Sequence, residues 1–101
     1  MDYIIDAQHE AYVVNLRGAF TFNDNHAFQT IVKAIEESAP SLIIMDFSRV
    51  EFIDSAALGM LLFLREEYHK AQGKLVLRHP KGQVRKIFEL SKFDSLFVVE
   101  Q

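Results

Sequence analysis

Between Ser41 and Asp46 the chain reads Leu42-Ile43-Ile44-Met45, four apolar residues in succession with no polar residue alternating between them. The run is short and rich in β-branched side chains, so it predicts a strand rather than a helix. Its unbroken apolarity predicts burial on both faces, and hence a central position in a sheet. The whole chain has 101 residues, half of them hydrophobic and a quarter charged. That is room for one packed domain, 1–101, and little else.

Other segments supply the neighbours such a strand needs. Tyr3-Ile4-Ile5 is a short apolar cluster, and Ala11 to Gly18 alternates, with Tyr12, Val14 and Leu16 on one side and Val13, Asn15 and Arg17 on the other. Two strands joined by a tight turn fit this, with Gly18 ending the second. Asn23-Asp24-Asn25 offers cap chemistry for a helix carrying Ala27, Phe28, Ile31, Val32 and Ile35 on one stripe, stopped by Pro40. Asp46 to Arg49 is polar and Ser48 reads as a turn residue; Val50, Phe52 and Ile53 form a second apolar approach to Asp54-Ser55. A helix follows from Ala56 to Lys70 or Ala71, with Gly73 in the stop position. Lys74 to Arg78 is a strand, Pro80 suits the first turn of a third helix with Val84, Ile87, Phe88 and Leu90, and Leu96 to Val99 closes with a strand. The order is β-β-α-β-α-β-α-β: an α/β fold with a mixed, mostly parallel sheet and helices packed against it.

Composition removes many functions. The net charge is −3 and the cations are spread out, which argues against nucleic acid as a direct partner. The absence of cysteine excludes disulfides and thiolate chemistry. Glycines at 18, 59, 73 and 82 cannot build a phosphate-cradling loop, and the four histidines lack metal-site spacing, so no cofactor and no metal are expected. Asp54 adjoins Ser55 and cannot readily stand behind a histidine that also touches it, so catalysis by Ser55 is disfavoured. The acidic N-terminus has no signal-peptide pattern, and the longest apolar run, Met60 to Leu64, is too short for insertion into a membrane; a cytoplasmic protein is expected.

Asp54-Ser55 then has two readings. Either residue can cap the helix that follows, a contribution of roughly 0.5–2 kcal/mol. The same free N–H groups can hold a phosphate on an exposed serine. Along that helix Ala57, Leu61, Leu64 and Tyr68 share one arc that should face the sheet, whereas Phe63 points away and Leu62 lies on the flank. Phe63, with Leu62 and Met60, is expected to form an apolar patch beside Ser55 for a protein partner.

The segment Leu42-Ile-Ile-Met-Asp-Phe-Ser-Arg-Val-Glu-Phe-Ile-Asp-Ser-Ala-Ala-Leu-Gly resembles the signature of the STAS domain (sulfate transporter and anti-sigma factor antagonist), in the form carried by bacterial anti-sigma factor antagonists. Leu16-Arg17-Gly18 upstream and Gly73-Lys74-Leu75 to Phe88-Glu89-Leu90-Ser91 downstream extend the likeness over nearly the whole chain. The resemblance implies a non-enzymatic switch. Ser55 would be phosphorylated by a partner serine kinase, often the anti-sigma factor itself, and dephosphorylated by a PP2C-type phosphatase. The unphosphorylated form would bind the anti-sigma factor and so control sigma-factor-dependent transcription. Asp54 would shape the helix entrance, and the loop of Thr21, Phe22 and Asn23 would lie beside Ser55 and contribute to recognition. Ala56 and Ala57 stand where members often have serine and glycine, and Thr21 where many have an acid. The alternative within the family is an accessory subunit of a membrane transporter of the lipid ABC kind. Exposed sheet edges would permit a homodimer.

Overall fold

A computed structural model describes residues 1–70 and 73–101, apart from the side chains of His69 and Lys70. The strands are β1 (Asp2–Gln8), β2 (Ala11–Phe20), β3 (Leu42–Ile53), β4 (Lys74–Arg78) and β5 (Val98–Glu100); the helices are α1 (Asn25–Ser38), α2 (Ser55–Lys70) and α3 (Gly82–Leu90). Short 3₁₀ turns occupy Phe22–Asp24 and Phe93–Ser95. The expected order of elements is the observed one. Ala71, the alternative end of the second helix, lies outside the described residues.

The sheet runs β1-β2-β3-β4-β5, with β1 antiparallel to β2 and every later pair parallel. β3 is therefore central, as its apolar run requires. Burial on both faces is not what puts it there. Ile43 and Met45 are fully buried, but Leu42 and Ile44 on the opposite face are only half-buried. The core joins Val14, Leu16, Ile43, Met45, Leu75 and Leu77 to the inward stripes of all three helices, while Val13 and Val76 stand outside it on the other face. Ile44 is paired between these two valines, which shield it sideways. Continuous apolarity here reflects neighbours within the sheet, with the helical layer on one face.

Three local expectations change. Asp46 to Arg49 is no break: β3 is a single strand of 12 residues, and the polar stretch is a bulge where the pairing jumps from Asn15–Asp46 to Arg17–Arg49. Ser48 is part of that strand, and its N–H donates to Asp46 Oδ1 at 2.8 Å instead of forming a separate turn. Gly18 does not end β2; it sits at a second register shift with φ of 93°, a conformation that favours glycine. Pro80 precedes α3 by two residues, so the helix starts at Gly82 with Lys81 as its N-cap.

Aromatic packing fixes the helices to the sheet. Phe20 and Phe28 stack at 5.3 Å and tie α1 to β2. Phe47 meets Phe88 edge-on at 5.3 Å, and Phe88 stacks on Phe93 at 5.1 Å, which anchors α3 under β3. Tyr68, at the end of the α2 stripe, donates to the Pro40 carbonyl and lies against Gly73 so closely that a Cβ there would overlap its ring. Gly73→Ala should therefore cost about 1–3 kcal/mol in urea unfolding, and that cost should largely vanish in a Tyr68→Leu background.

On the open face Asp46 accepts from Arg78 Nε at 3.1 Å and Nη2 at 3.0 Å across the β3–β4 pair. Burial alone would raise the Asp46 carboxyl. The hydrogen bonds from Ser48 and Arg78, with the Arg78 charge, outweigh it and hold the group below its ordinary 3.8. A carboxyl lowered by folding contributes stability that is complete above its unfolded value and lost as pH falls through the folded one. Stability should thus decline on acidification below pH 3.8, and Asp46→Asn should make that decline shallower in pH-dependent urea titrations.

Candidate functional site

The C-terminal ends of β2 and β3 lie side by side, pairing Phe20 with Ile53. The chain leaves β2 into the Phe22–Asp24 turn and leaves β3 directly into α2, so two helical starts share one end of the sheet. Asp54 joins them. Its Oδ1 accepts from the Ala57 N–H at 2.9 Å, the N-cap bond of α2, and its Oδ2 accepts from the Phe22 N–H at 3.1 Å. Its own N–H reaches the Phe20 carbonyl at 3.3 Å. One carboxylate thus starts α2 and fixes the loop before α1.

Ser55 occupies the first position of α2 and is exposed; among the described residues its hydroxyl has no hydrogen-bond partner. The capping role falls to Asp54, which leaves Ser55 available. Unpaired donors and the positive end of the helix adjoin it, so a phosphate there would meet favourable backbone charge.

Beside Ser55 runs a groove of about 700 Å³ between α1 and α2. From α2 it is lined by Ala56, Gly59, Met60 and Phe63, and from α1 by Phe28, Val32 and the polar rim of Gln29 and Glu36. Phe22, from the loop before α1, also lines it. Phe22 and Phe63 are 67% and 54% exposed, an unusual state for two phenylalanines on one small domain. Ala57, Leu61, Leu64 and Tyr68 are buried as the helical arc requires, and Phe63 points away from them.

Of the six residues expected to meet a partner, the groove collects Phe22, Met60 and Phe63. Thr21 lies outside it and is engaged in a capping box: its Oγ1 accepts from the Asn23 N–H at 3.3 Å and its N–H donates to Asp24 Oδ2 at 2.8 Å. Asn23 is exposed but does not line the groove. Leu62 lies outside it as well, and at 39% exposure it is not covered by neighbouring elements. The α1 wall escaped the sequence reading. Its signal was Gln29, Lys33 and Glu36, polar residues three and four apart beside the core stripe, a pattern common to any surface helix.

Asp24 sits behind the same loop, accepting from the Met1 ammonium at 2.8 Å through Oδ1. Burial would raise its carboxyl, but the bonds from that ammonium and from Thr21 outweigh it and lower the group. The neighbourhood is thus built from two acids saturated by backbone and ammonium donors. Among the described residues there is no group of histidines or carboxylates placed to hold a metal, and no helix long and apolar enough to cross a membrane. Removing the bridging carboxylate with Asp54→Ala should lower stability by about 1–2 kcal/mol and raise amide exchange in the first turn of α2. Asp54→Asn, which keeps one acceptor oxygen, should lose less.

Comparison with known proteins gives this geometry a lineage. The STAS domain pattern matches residues 3–101. A STAS-domain containing protein of Pseudomonas aeruginosa is 28% identical over 93 residues, covering 92% of this chain and 91% of that one. The anti-sigma F factor antagonist of Lysinibacillus sphaericus is 29% identical over 86 residues, 81% of this chain and 71% of that protein. Among solved structures, the Bacillus cell fate determinant SpoIIAA in its phosphorylated form superposes with a TM-score of 0.73 at 26% identity, covering 99% of this chain and 92% of that one. The chain belongs to the STAS domain family, whose anti-sigma factor antagonists are non-enzymatic regulatory proteins.

Proposed function

We propose that this protein is a cytoplasmic anti-sigma factor antagonist, switched by reversible phosphorylation of Ser55. The observation that carries the reading is a juxtaposition. An exposed, unengaged serine hydroxyl at the start of α2 immediately precedes Ala56, which lines the apolar groove between α1 and α2. A relative named as an antagonist, and a similar structure that exists in a phosphorylated form, supply the class of partner.

The unphosphorylated protein presents Phe22, Met60 and Phe63 to an anti-sigma factor, which buries them on docking. Phosphate on Ser55 adds about −1.5 to −2 charges at neutral pH. The first-turn N–H groups stabilise that charge in the free protein, so the fold persists. In the complex the same charge, next to the Asp54 carboxylate, would have to be desolvated against a partner surface matched to a neutral hydroxyl. Phosphorylation by the partner's serine kinase activity thus releases the antagonist, and a PP2C-type phosphatase resets it.

Gly59 allows the groove to be tested without disturbing the core, because a Cβ built there meets no atom within 4 Å beyond its chain neighbours and the adjacent backbone of its own helix. Gly59→Ala should raise stability by about 0.5–1 kcal/mol through helix propensity alone. Gly59→Leu should fold yet obstruct docking, and Phe63→Ala should weaken partner affinity at least about tenfold. Pull-downs from native lysate, with mass spectrometry of partners and of Ser55, should recover an anti-sigma factor with wild type and Ser55→Ala and lose it with Ser55→Asp. Recovery of transporter subunits that ignore both Ser55 changes would overturn the switch. Unchanged affinity for Phe63→Ala and Gly59→Leu would overturn the groove.

A further inference from the structure

β4 pairs with β3 only from Lys74–Leu42 to Arg78–Asp46. β3 continues to Ile53, held by β2 on one side and, among the described residues, with no strand on the other. The peptide groups there would be left to water just before the Ser55 site. At Ile53 they are not. The Ile53 N–H donates to Gln83 Oε1 at 3.0 Å, and the Ile53 carbonyl accepts from Gln83 Nε2 at 3.0 Å. A primary amide offers one acceptor and one donor side by side, the pair that an adjoining strand would present, and only one orientation of it satisfies both bonds.

The geometry assigns Gln83 as the positioning residue of the Ser55 site, a single side chain that stands in for β4 and locks the start of α2 to α3. Its base is firm, since the next residue, Val84, is fully buried and Phe88 is wedged against Phe47 and Phe93. Its reach ends one residue before Asp54. Ile53 is thereby gripped from the α3 side while the Asp54 N–H is gripped by Phe20 from the β2 side. With both sides fixed, the Asp54 carboxylate meets Ala57 and Phe22 together, and Ser55 is held at one angle to the groove. The functional meaning rests on Ser55 being the phosphate acceptor proposed above; the mechanical claim does not.

The test is amide hydrogen exchange by NMR on the whole chain, paired with the initial rate of Ser55 phosphorylation in native lysate supplied with ATP. Gln83→Leu keeps the stem and deletes both bonds. It should speed exchange at Ala57, two elements away, at least about tenfold, with Met45 and Leu77 at the sheet centre within about twofold of wild type. The phosphorylation rate should change at least about threefold. Gln83→Glu adds a readout that lost packing would not produce. Ionised near neutral pH, it sets a carboxylate oxygen against the Ile53 carbonyl and should behave like leucine. Protonated at about pH 4, it regains a donor beside an acceptor, and its exchange at Ala57 should return toward that of wild type at the same pH. Exchange at Ala57 within twofold of wild type in both variants, or uniform acceleration across the sheet, would overturn the inference. A clear response at Ala57 with no phosphate on wild-type Ser55 would support the clamp and overturn the switch instead.

Discussion

The arrangement of the functional end depends on one carboxylate with two oxygens spent in two directions. Asp54 caps α2 through one and holds the Phe22 N–H through the other, joining backbone segments 32 residues apart. A helix start must satisfy several free N–H groups in any case. Here the group that does so also sets the position of a loop bearing an exposed phenylalanine. Because Asp54 takes the capping role, Ser55 keeps its hydroxyl, and a residue that would otherwise be structural is left available for regulation. In the proposed switch, capping and phosphate binding would share one set of backbone donors without competing for the same side chain.

The sheet explains why that end is free to work. With the helical layer on one face and β4 stopping at Arg78, β3 extends past its neighbour and delivers Asp54-Ser55 beyond the main body of the ladder. Such an extension leaves backbone groups without partners, a cost that folded proteins meet with side chains or water. Gln83 meets it at Ile53, and the bulge at Phe47-Ser48 meets it earlier by turning Ser48 N–H onto Asp46. The polar stretch that looked like a break in the sequence is what lets a long strand bend and continue. The groove follows from small side chains: Ala56 and Gly59 leave the facing sides of α1 and α2 unfilled, so Met60, Phe63 and Phe22 line a space instead of closing it.

Much of this was legible in the residue order. The element sequence, the central strand, the inward arc of α2 and the exposure of Phe63 follow from periodicity, which reports the local environment of each side chain directly. The resemblance carried by Phe-Ile-Asp-Ser singled out Ser55, which the fold leaves exposed at the first position of α2. Misreadings arose where local pattern and tertiary context diverge. Pro80 looked like a first-turn proline, but the helix begins only at Gly82, after a left-handed backbone at His79. Thr21 and Asn23, expected to contribute to recognition, stand outside the groove, and Thr21 is engaged in its own capping box.

What the sequence alone determined is therefore the set of parts: an α/β domain of alternating elements, with a serine beside an aspartate where a helix begins. These depend on contacts within a few residues, and such contacts leave a periodic or positional trace. Only the tertiary structure decided that the second wall of the groove comes from α1, that Asp54 reaches Phe22, and that Gln83 completes β3 at Ile53. Each of these joins residues about thirty apart through one or two hydrogen bonds or a shared cavity. A glutamine in the first turn of a helix has the same local signature whether it faces water or replaces a strand, and its role is fixed by where the chain brings its partner.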